Sequence, residues 1–414
     1  MSKDYSKQSI LIVYFMAEAE FLARPGFLSN VYLFSNVALG LDVEYLNIAA
    51  GSHQRLLKKT YCSIVFHYSV FAERMNGDAA FLQRLKLCDS LFEVEGRRIA
   101  IVQDEYVRMN LVCEALVALR TEVLCTCVPE TEFRKAYPSE LLGPIEPVFT
   151  IAGYMSEAML SANSLRPHRD RPIDISYRAR RLPDWLGETS VAKFLVADAV
   201  TAFLAENVTG MTADISTNPR DMLYGNSWRS MLVKSRTVLG SESGVSVLDF
   251  DGSIHDYSKN HDRLNTLEYA KMHGKKFHLS GISPRHFEAA STKTCQLLVE
   301  GGYSGILNSR RHYIPINPSF SNLESVLKDA EDIEKCERIA EVAYKEITQN
   351  ERYSEKYFVK TLLEPSNAHE RSQVTSDRVR VILLGLHNLT APLKHLVINA
   401  KLLVVRVMNQ IKIP

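Results

Sequence analysis

Four segments beyond residue 173 place charged or small polar residues where an apolar run gives way to a loop. In Tyr177–Lys193 (YRARRLPDWLGETSVAK), Arg178, Arg180 and Arg181 close a strand-like run, and Lys193 lies in the helical pattern behind Pro183 and Gly187. Guanidinium forks and an ammonium beside a helix start suit a diphosphate; a solvated basic turn is the alternative for any one arginine. In Gly240–Gly252 (GSESGVSVLDFDG), Ser241, Glu242, Ser243 and Gly244 make either a small polar loop that permits close backbone approach to a ligand or a plain turn. In Ser280–Glu300, Ser283 followed by Pro284 is a helix start, with Arg285 and Glu288 close behind. An anion there would meet free N–H groups and Arg285, and the Glu288 carboxylate could accept both hydroxyls of a ribose. In HYIPIN, His312 and Tyr313 belong either to a loop beneath a base or sugar or to a strand with an ordinary connection.

The elements that must position these residues follow from the apolar pattern. Ile10 to Phe15, Ser63 to His67, Arg98 to Gln103, Glu122 to Cys127 and Pro147 to Ile151 are strand candidates rich in Val, Ile, Phe or Tyr. Helical stretches such as Asp78 to Leu87 and Arg108 to Arg120 lie between them, which predicts βαβ units and a largely parallel sheet. The polar, proline-bearing break at Ser161 to Pro172 ends a first domain over residues 1–165. The pattern restarts with strands at Ile173 to Tyr177, Met211 to Ser216 and Ser246 to Phe250 and a helix at Val191 to Ala205, giving a second doubly wound domain over 173–365. In such sheets ligands bind at the carboxyl ends of strands, where these segments fall.

Composition narrows the class. With 414 residues, 46% hydrophobic and 23% charged, the chain has room for two α/β domains, and its 49 basic against 48 acidic side chains give no basic field for nucleic acid. Seven cysteines without a CxxC pair are expected to be reduced core residues, and no metal is expected. Asp249-Phe250-Asp251 has the letters of a metal-binding DxD pair, but strand termination explains it better. MSKDYSKQSILIVYFM lacks the length and cleavage site of a signal peptide, and no run reaches about twenty apolar residues, so a cytoplasmic location is expected.

Phe287-Glu288-Ala289 after a small polar loop, HYIPI, Phe320 to Leu327 and Ala343-Tyr344 resemble the carboxyl half of group 1 glycosyltransferases and their spore-maturation-type relatives over roughly residues 173 to 360. The resemblance implies a GT-B fold: α/β, with two doubly wound Rossmann-like domains facing a cleft and a C-terminal helical tail. It implies transfer of a sugar from a nucleotide-sugar donor to a glycan or lipid-linked acceptor, as in bacterial surface polysaccharide synthesis, without a cofactor. Glu288 then holds the ribose, and helix N-termini with Arg178, Arg180, Lys193 and Arg285 meet the leaving diphosphate. Retaining members often carry a first glutamate eight positions earlier; Ser280 stands there, so the stereochemical outcome does not carry over.

In a GT-B enzyme the first domain supplies acceptor contacts and, in inverting members, the general base. His67 in IVFHYS and the pair Asp104 and Glu105 in IVQDEY follow strands and are the candidates; if the strand persists, only one of the two acids enters the cleft. Tyr106 and Arg108 are expected to help bind a sugar or phosphate acceptor. Two competing functions are a nucleotide-sugar epimerase on the same scaffold and a catalytically degenerate subunit of a polysaccharide assembly complex.

After Asp377 the chain has no acidic residue, and Leu393, Leu396, Val397, Ala400, Leu403, Val404 and Val407 form an apolar helical stripe flanked by Lys394, Lys401 and Arg406. This basic amphipathic tail, residues 366–414, is expected either to reach an anionic membrane surface through 378–414 or to cross back onto the first domain.

Overall fold

Parallel strands are covered on both faces, so their sequences become continuous apolar runs, and this is what the first half supplies. A computed structural model describes residues 8–17, 25–50, 55–160 and 165–364. In it β1 (Ser9–Tyr14), β2 (Asp42–Asn47), β3 (Ser63–Phe66), β4 (Arg97–Ile101), β5 (Val123–Thr126) and β6 (Glu146–Phe149) form one sheet in the order β2-β1-β3-β4-β5-β6, every pair parallel. The helices α1 (Asp78–Lys86) and α2 (Met109–Ala118) fall where the periodicity placed them. The edge strand β2 escapes the sequence pattern because only Leu46 on it is buried.

The second sheet has the order β13-β12-β9-β7-β8, again all parallel, built from β7 (Ile173–Arg178), β8 (Ala213–Ser216), β9 (Ser235–Gly240), β12 (Cys295–Val299) and β13 (Ile314–Ile316). Its helices include α3 (Glu188–Glu206), α4 (Gly225–Lys234), α7 (Pro284–Ser291), α8 (Leu323–Glu331) and α9 (Ile333–Thr348). Between β9 and β12 runs an excursion: β10 (Ser243–Leu248) and β11 (Lys275–Gly281) pair antiparallel, and α5 (Ser253–Ser258) and α6 (Arg263–His273) join them.

That excursion corrects the expectation of a strand at 246–250 in the second parallel sheet. Val245, Leu248 and Phe277 bury themselves in the core of the first sheet, with Leu11, Phe66 and Val107. Asp249 bridges to Val107, and the Arg108 amide donates to the Asp249 carbonyl at 2.9 Å. Alternating apolar residues announce a strand but not which sheet receives it.

A second crossing joins the two halves. The helix α10 (Glu355–Leu363), capped by Ser354 through the Tyr357 amide at 3.1 Å, returns to the first sheet. Phe358, Val359, Leu362 and Leu363 pack on Ile10, Ile12, Val65 and Ile99. Each such buried side chain contributes about 1.5–3 kcal/mol. The expected first boundary and the tail over 366–414 fall wholly or partly on residues outside those described. Cys88, Cys113, Cys125, Cys295 and Cys336 are free and buried and Cys127 is half-buried, whereas Cys62, expected in the core, is exposed.

Candidate functional site

In a doubly wound sheet the crevice opens where neighbouring strands leave in opposite directions. In the second sheet that point lies between β7 and β9. The loop after β9 starts at Gly240, where a Cβ would stand 2.7 Å from the Leu298 side chain. Beyond it, Lys193 on α3 donates to the Ser243 hydroxyl at 2.9 Å. Burial first, then the Arg285 charge, lowers the Lys193 ammonium to about 8, and the Asp104 carboxylate opposes that shift. Asp104 belongs to the first sheet's half, so the two halves meet electrostatically at this lysine.

The start of α7 completes the crevice. Ser283 is its N-cap and Pro284 opens the helix, with His286 in the position a glutamate or glutamine takes in a capping box: the Ser283 amide donates to His286 Nδ1 at 3.0 Å. Burial holds His286 down at about 3, so it stays neutral. One turn further, Glu288 accepts a hydrogen bond from the Trp228 indole N–H at 2.7 Å, and burial raises its carboxyl. The Arg285 guanidinium lies over the same indole, 4.7 Å from the ring centroid, and donates to the Arg178 carbonyl. Glu242 turns to the loop after β12: it accepts the Tyr303 amide at 2.6 Å, and a Cβ on Gly301 would meet its carboxylate at 2.7 Å.

Lys193, Ser243, Ser283, Arg285 and Glu288 therefore gather at one strand edge, with Glu242 beside them. Trp228, Gly301 and Gly302 were missed. Trp228 is one of only two tryptophans, on a helix whose polar partner comes from a distant segment.

Other expected donor residues are engaged elsewhere. Arg178 donates to the Asp214 carboxylate at 2.6 Å and carbonyl at 2.8 Å and to the Asp221 carbonyl at 2.9 Å, so its fork ties β7 to β8 and is not open to a diphosphate. Arg180 is exposed and donates to the Tyr224 hydroxyl at the rim. His312 is buried, accepts the Asn308 amide at 3.1 Å and pairs with Glu346 at 2.8 Å on α9, while Tyr313 packs in the core against Tyr303. Neither lies beneath a ligand. The close approach that Gly244 permits is to its partner strand: a Cβ there, at φ +149°, would overlap the Leu279 carbonyl at 1.7 Å.

On the first sheet's side, the turn after β4 separates the two neighbouring acids. Asp104 takes a left-handed φ of 55° and is exposed, whereas Glu105 is 0% exposed. Glu105 accepts from the Thr126 and Tyr137 hydroxyls at 2.5 Å each and from the Cys127 amide at 2.9 Å; burial raises it to about 7. It is a core carboxyl, not a catalytic one. Arg74 clamps the turn, its buried guanidinium donating to the carbonyls of Phe71, Gln103, Asp104 and Val107. Arg108 is equally engaged, with Asp78 at 2.9 Å and Asp256 at 2.5 Å, so it is no acceptor contact. Asp249 accepts the Ile254 and His255 amides at 3.1 and 2.8 Å, and Asp251 the Ser253 amide at 3.0 Å: both acids of the DxD letters cap the start of α5.

His67 stands after β3, at the first sheet's own divergence between β1 and β3. It is buried, and desolvation lowers its imidazole to about 3. Such a ring is neutral and a weak base.

No protein-family model matches the sequence, and no curated protein matches it significantly. Among solved structures, the chain is similar to the DNA-modifying enzyme β-glucosyltransferase, solved with and without uridine diphosphoglucose, at TM-score 0.51 and 12% identity, over 86% of this chain and 99% of that one. Anabaena HepE in complex with UDP and glucose follows at TM-score 0.42 and 13% identity, over 86% and 99%. TarM matches at TM-score 0.44 and 8% identity over 73% of this chain, which spans 55% of the TarM chain. At these identities the likeness concerns the fold: two Rossmann-like parallel sheets in the GT-B arrangement.

Proposed function

We propose that the chain is a glycosyltransferase that moves a sugar from a nucleoside diphosphate to an acceptor hydroxyl. The observation that carries this reading is the Trp228-bound Glu288 at the start of α7, beside Arg285 and Lys193 and across from Asp104. In this reading Glu288 accepts the ribose hydroxyls. The diphosphate lies against the α7 N–H groups, Arg285 and Lys193, which meet the charge that grows as the bond to the anomeric carbon breaks. Asp104 takes the proton of the acceptor hydroxyl as its oxygen bonds to that carbon, and the nucleoside diphosphate leaves. The charge of the leaving group is assigned to side chains and helix N–H groups rather than to a divalent ion.

The resemblance of residues 173 to 360 to group 1 and spore-maturation-type enzymes supports the same reading, with a glycan or lipid-linked acceptor of a bacterial surface polysaccharide. In this reading the basic residues after Asp377 meet an anionic membrane surface and the enzyme works at the inner face of a membrane; the return of α10 to the first sheet, a role then already filled, supports that choice. The test is release of nucleoside diphosphate from a panel of nucleotide-sugars, uridine diphosphoglucose first, with and without glycan acceptors. Acceptor-dependent release supports transfer. A sugar-nucleotide isomer formed without acceptor, or binding without turnover across the panel, replaces it with the epimerase or the degenerate subunit.

A further inference from the structure

Beside the donor crevice lies a cavity of about 930 Å³, large for one small ligand and within the range of ligand sites. One wall is the first sheet and its loops, including His67, Gln103 and Thr150; the opposite wall comes from Pro284 and Glu288 of α7 and from Glu355 and Phe358 of α10. The sequence gives no sign of it, because its walls come from segments far apart in the chain.

His67 is the built feature of this cavity. It is 4% exposed and is one of the residues that line the space. Nδ1 accepts the Ser69 amide at 3.3 Å and stands 3.0 Å from the Ser69 hydroxyl, which itself accepts the Phe15 amide and so is free to donate to Nδ1; this network assigns the hydrogen of the neutral ring to Nε2. That Nε2–H is buried and has no partner among the described residues. A buried donor without an acceptor is costly, and it is satisfied when a ligand oxygen reaches it.

The lining also selects charge. Among the described residues its acidic and basic side chains other than His67 are Glu157, Glu288, Glu351, Glu355, Lys356 and Lys360. Lys356 is exposed, whereas Glu288, Glu355 and Lys360 are half-buried. Burial and the neighbouring Glu157 raise Glu355 to about 7, so near neutrality this carboxyl is in part a hydrogen-bond donor. Phe34, Val65, Ile101, Met155 and Phe358 add apolar surface. Among the described residues a phosphate would meet four carboxyls against two ammoniums; a hydroxyl meets donors and acceptors both.

We propose that this cavity binds an uncharged, hydroxyl-bearing ligand with an apolar portion, such as a neutral glycoside, with His67 Nε2–H as its buried hydrogen-bond donor. Its role as the acceptor chamber rests on the transfer reading above; its ligand class does not. His67 here binds the acceptor and does not take its proton, the step assigned to Asp104.

Titration calorimetry on the full chain tests this with two probes sharing one alkyl chain: octyl β-glucoside below its micelle concentration, and octyl phosphate. The glucoside is expected to bind saturably with one site, and the phosphate at least about tenfold more weakly. His67→Phe is expected to weaken the glucoside about tenfold with little change for the phosphate. Because that substitution also removes the Ser69 contact, Glu355→Lys provides the second arm: it is expected to raise octyl phosphate affinity about tenfold. Equal binding of the two probes, no glucoside binding, or folded variants that leave both affinities unchanged overturn the proposal. Separate titration with a nucleoside diphosphate distinguishes the two failures: loss of nucleotide binding alone strikes the donor reading, loss of glucoside binding alone strikes the chamber.

Discussion

Trp228 holds both charged groups of the α7 start at once: its indole N–H donates to Glu288 at 2.7 Å, and its face carries the Arg285 guanidinium 4.7 Å from the centroid. A carboxylate and a cation of opposite roles are thus oriented by one rigid side chain. Trp228→Phe keeps the ring face and removes the donor. Hydrogen bonds to charged groups are worth roughly 1.5–3 kcal/mol, so nucleoside diphosphate affinity is expected to fall by at least about tenfold, while Arg285 keeps its cation–π contact. Calorimetric titration checks this; unchanged affinity in a folded variant removes the tryptophan from the site.

Lys193 sets a pH limit. Its ammonium, lowered to about 8, is lost as pH rises through that value, and a rate that needs its charge is expected to fall about tenfold per unit above it. The folded value lies below the ordinary 10.5, so between the two the unfolded chain holds more protons and stability rises with pH across that window. In Lys193→Met both features should disappear from the pH–rate profile and from denaturant melts. A profile that keeps its alkaline limb assigns the limb to another group.

Asp104→Asn is expected to lower turnover by about 10²–10⁴-fold and leave donor binding within about twofold, as general-base loss does. Single-turnover kinetics with saturating donor measure this. A loss in donor affinity of the same size would make Asp104 a structural partner of Lys193 instead.

The contrast between Asp104 and Glu105 shows what the sequence carries and what it withholds. Strand–helix alternation was legible because parallel strands bury both faces, and Ser283-Pro284 and Phe287-Glu288-Ala289 were legible because helix starts have local rules. That the two acids diverge was legible; which one enters the core was not, since the Thr126 and Tyr137 partners of Glu105 lie 21 and 32 residues away. The same holds for Arg178, whose partners Asp214 and Asp221 arrive from β8 and the turn behind it. Strand β9 escaped the pattern because it follows α4 without a loop. Long-range partners, not residue type, decided which charges were left for chemistry.

Truncation after Asp377 is expected to abolish sedimentation with anionic liposomes while leaving the melting temperature within about 2 °C, because α10 lies before the cut. Each basic residue near such a surface contributes on the order of 1 kcal/mol, so added salt should release the full chain. A full chain that ignores anionic liposomes, or a truncation that unfolds the protein, makes the tail part of the core.

Glu288 is the residue on which nucleotide binding is expected to depend most. Calorimetric titration of the full chain with uridine diphosphate, then with other nucleoside diphosphates, against Glu288→Ala is its most direct test. The account predicts binding by the wild-type chain and a loss of about 1.5–3 kcal/mol, roughly ten- to a hundredfold, in a variant that melts normally. Equal affinity of wild type and folded Glu288→Ala for the same nucleotide would contradict it.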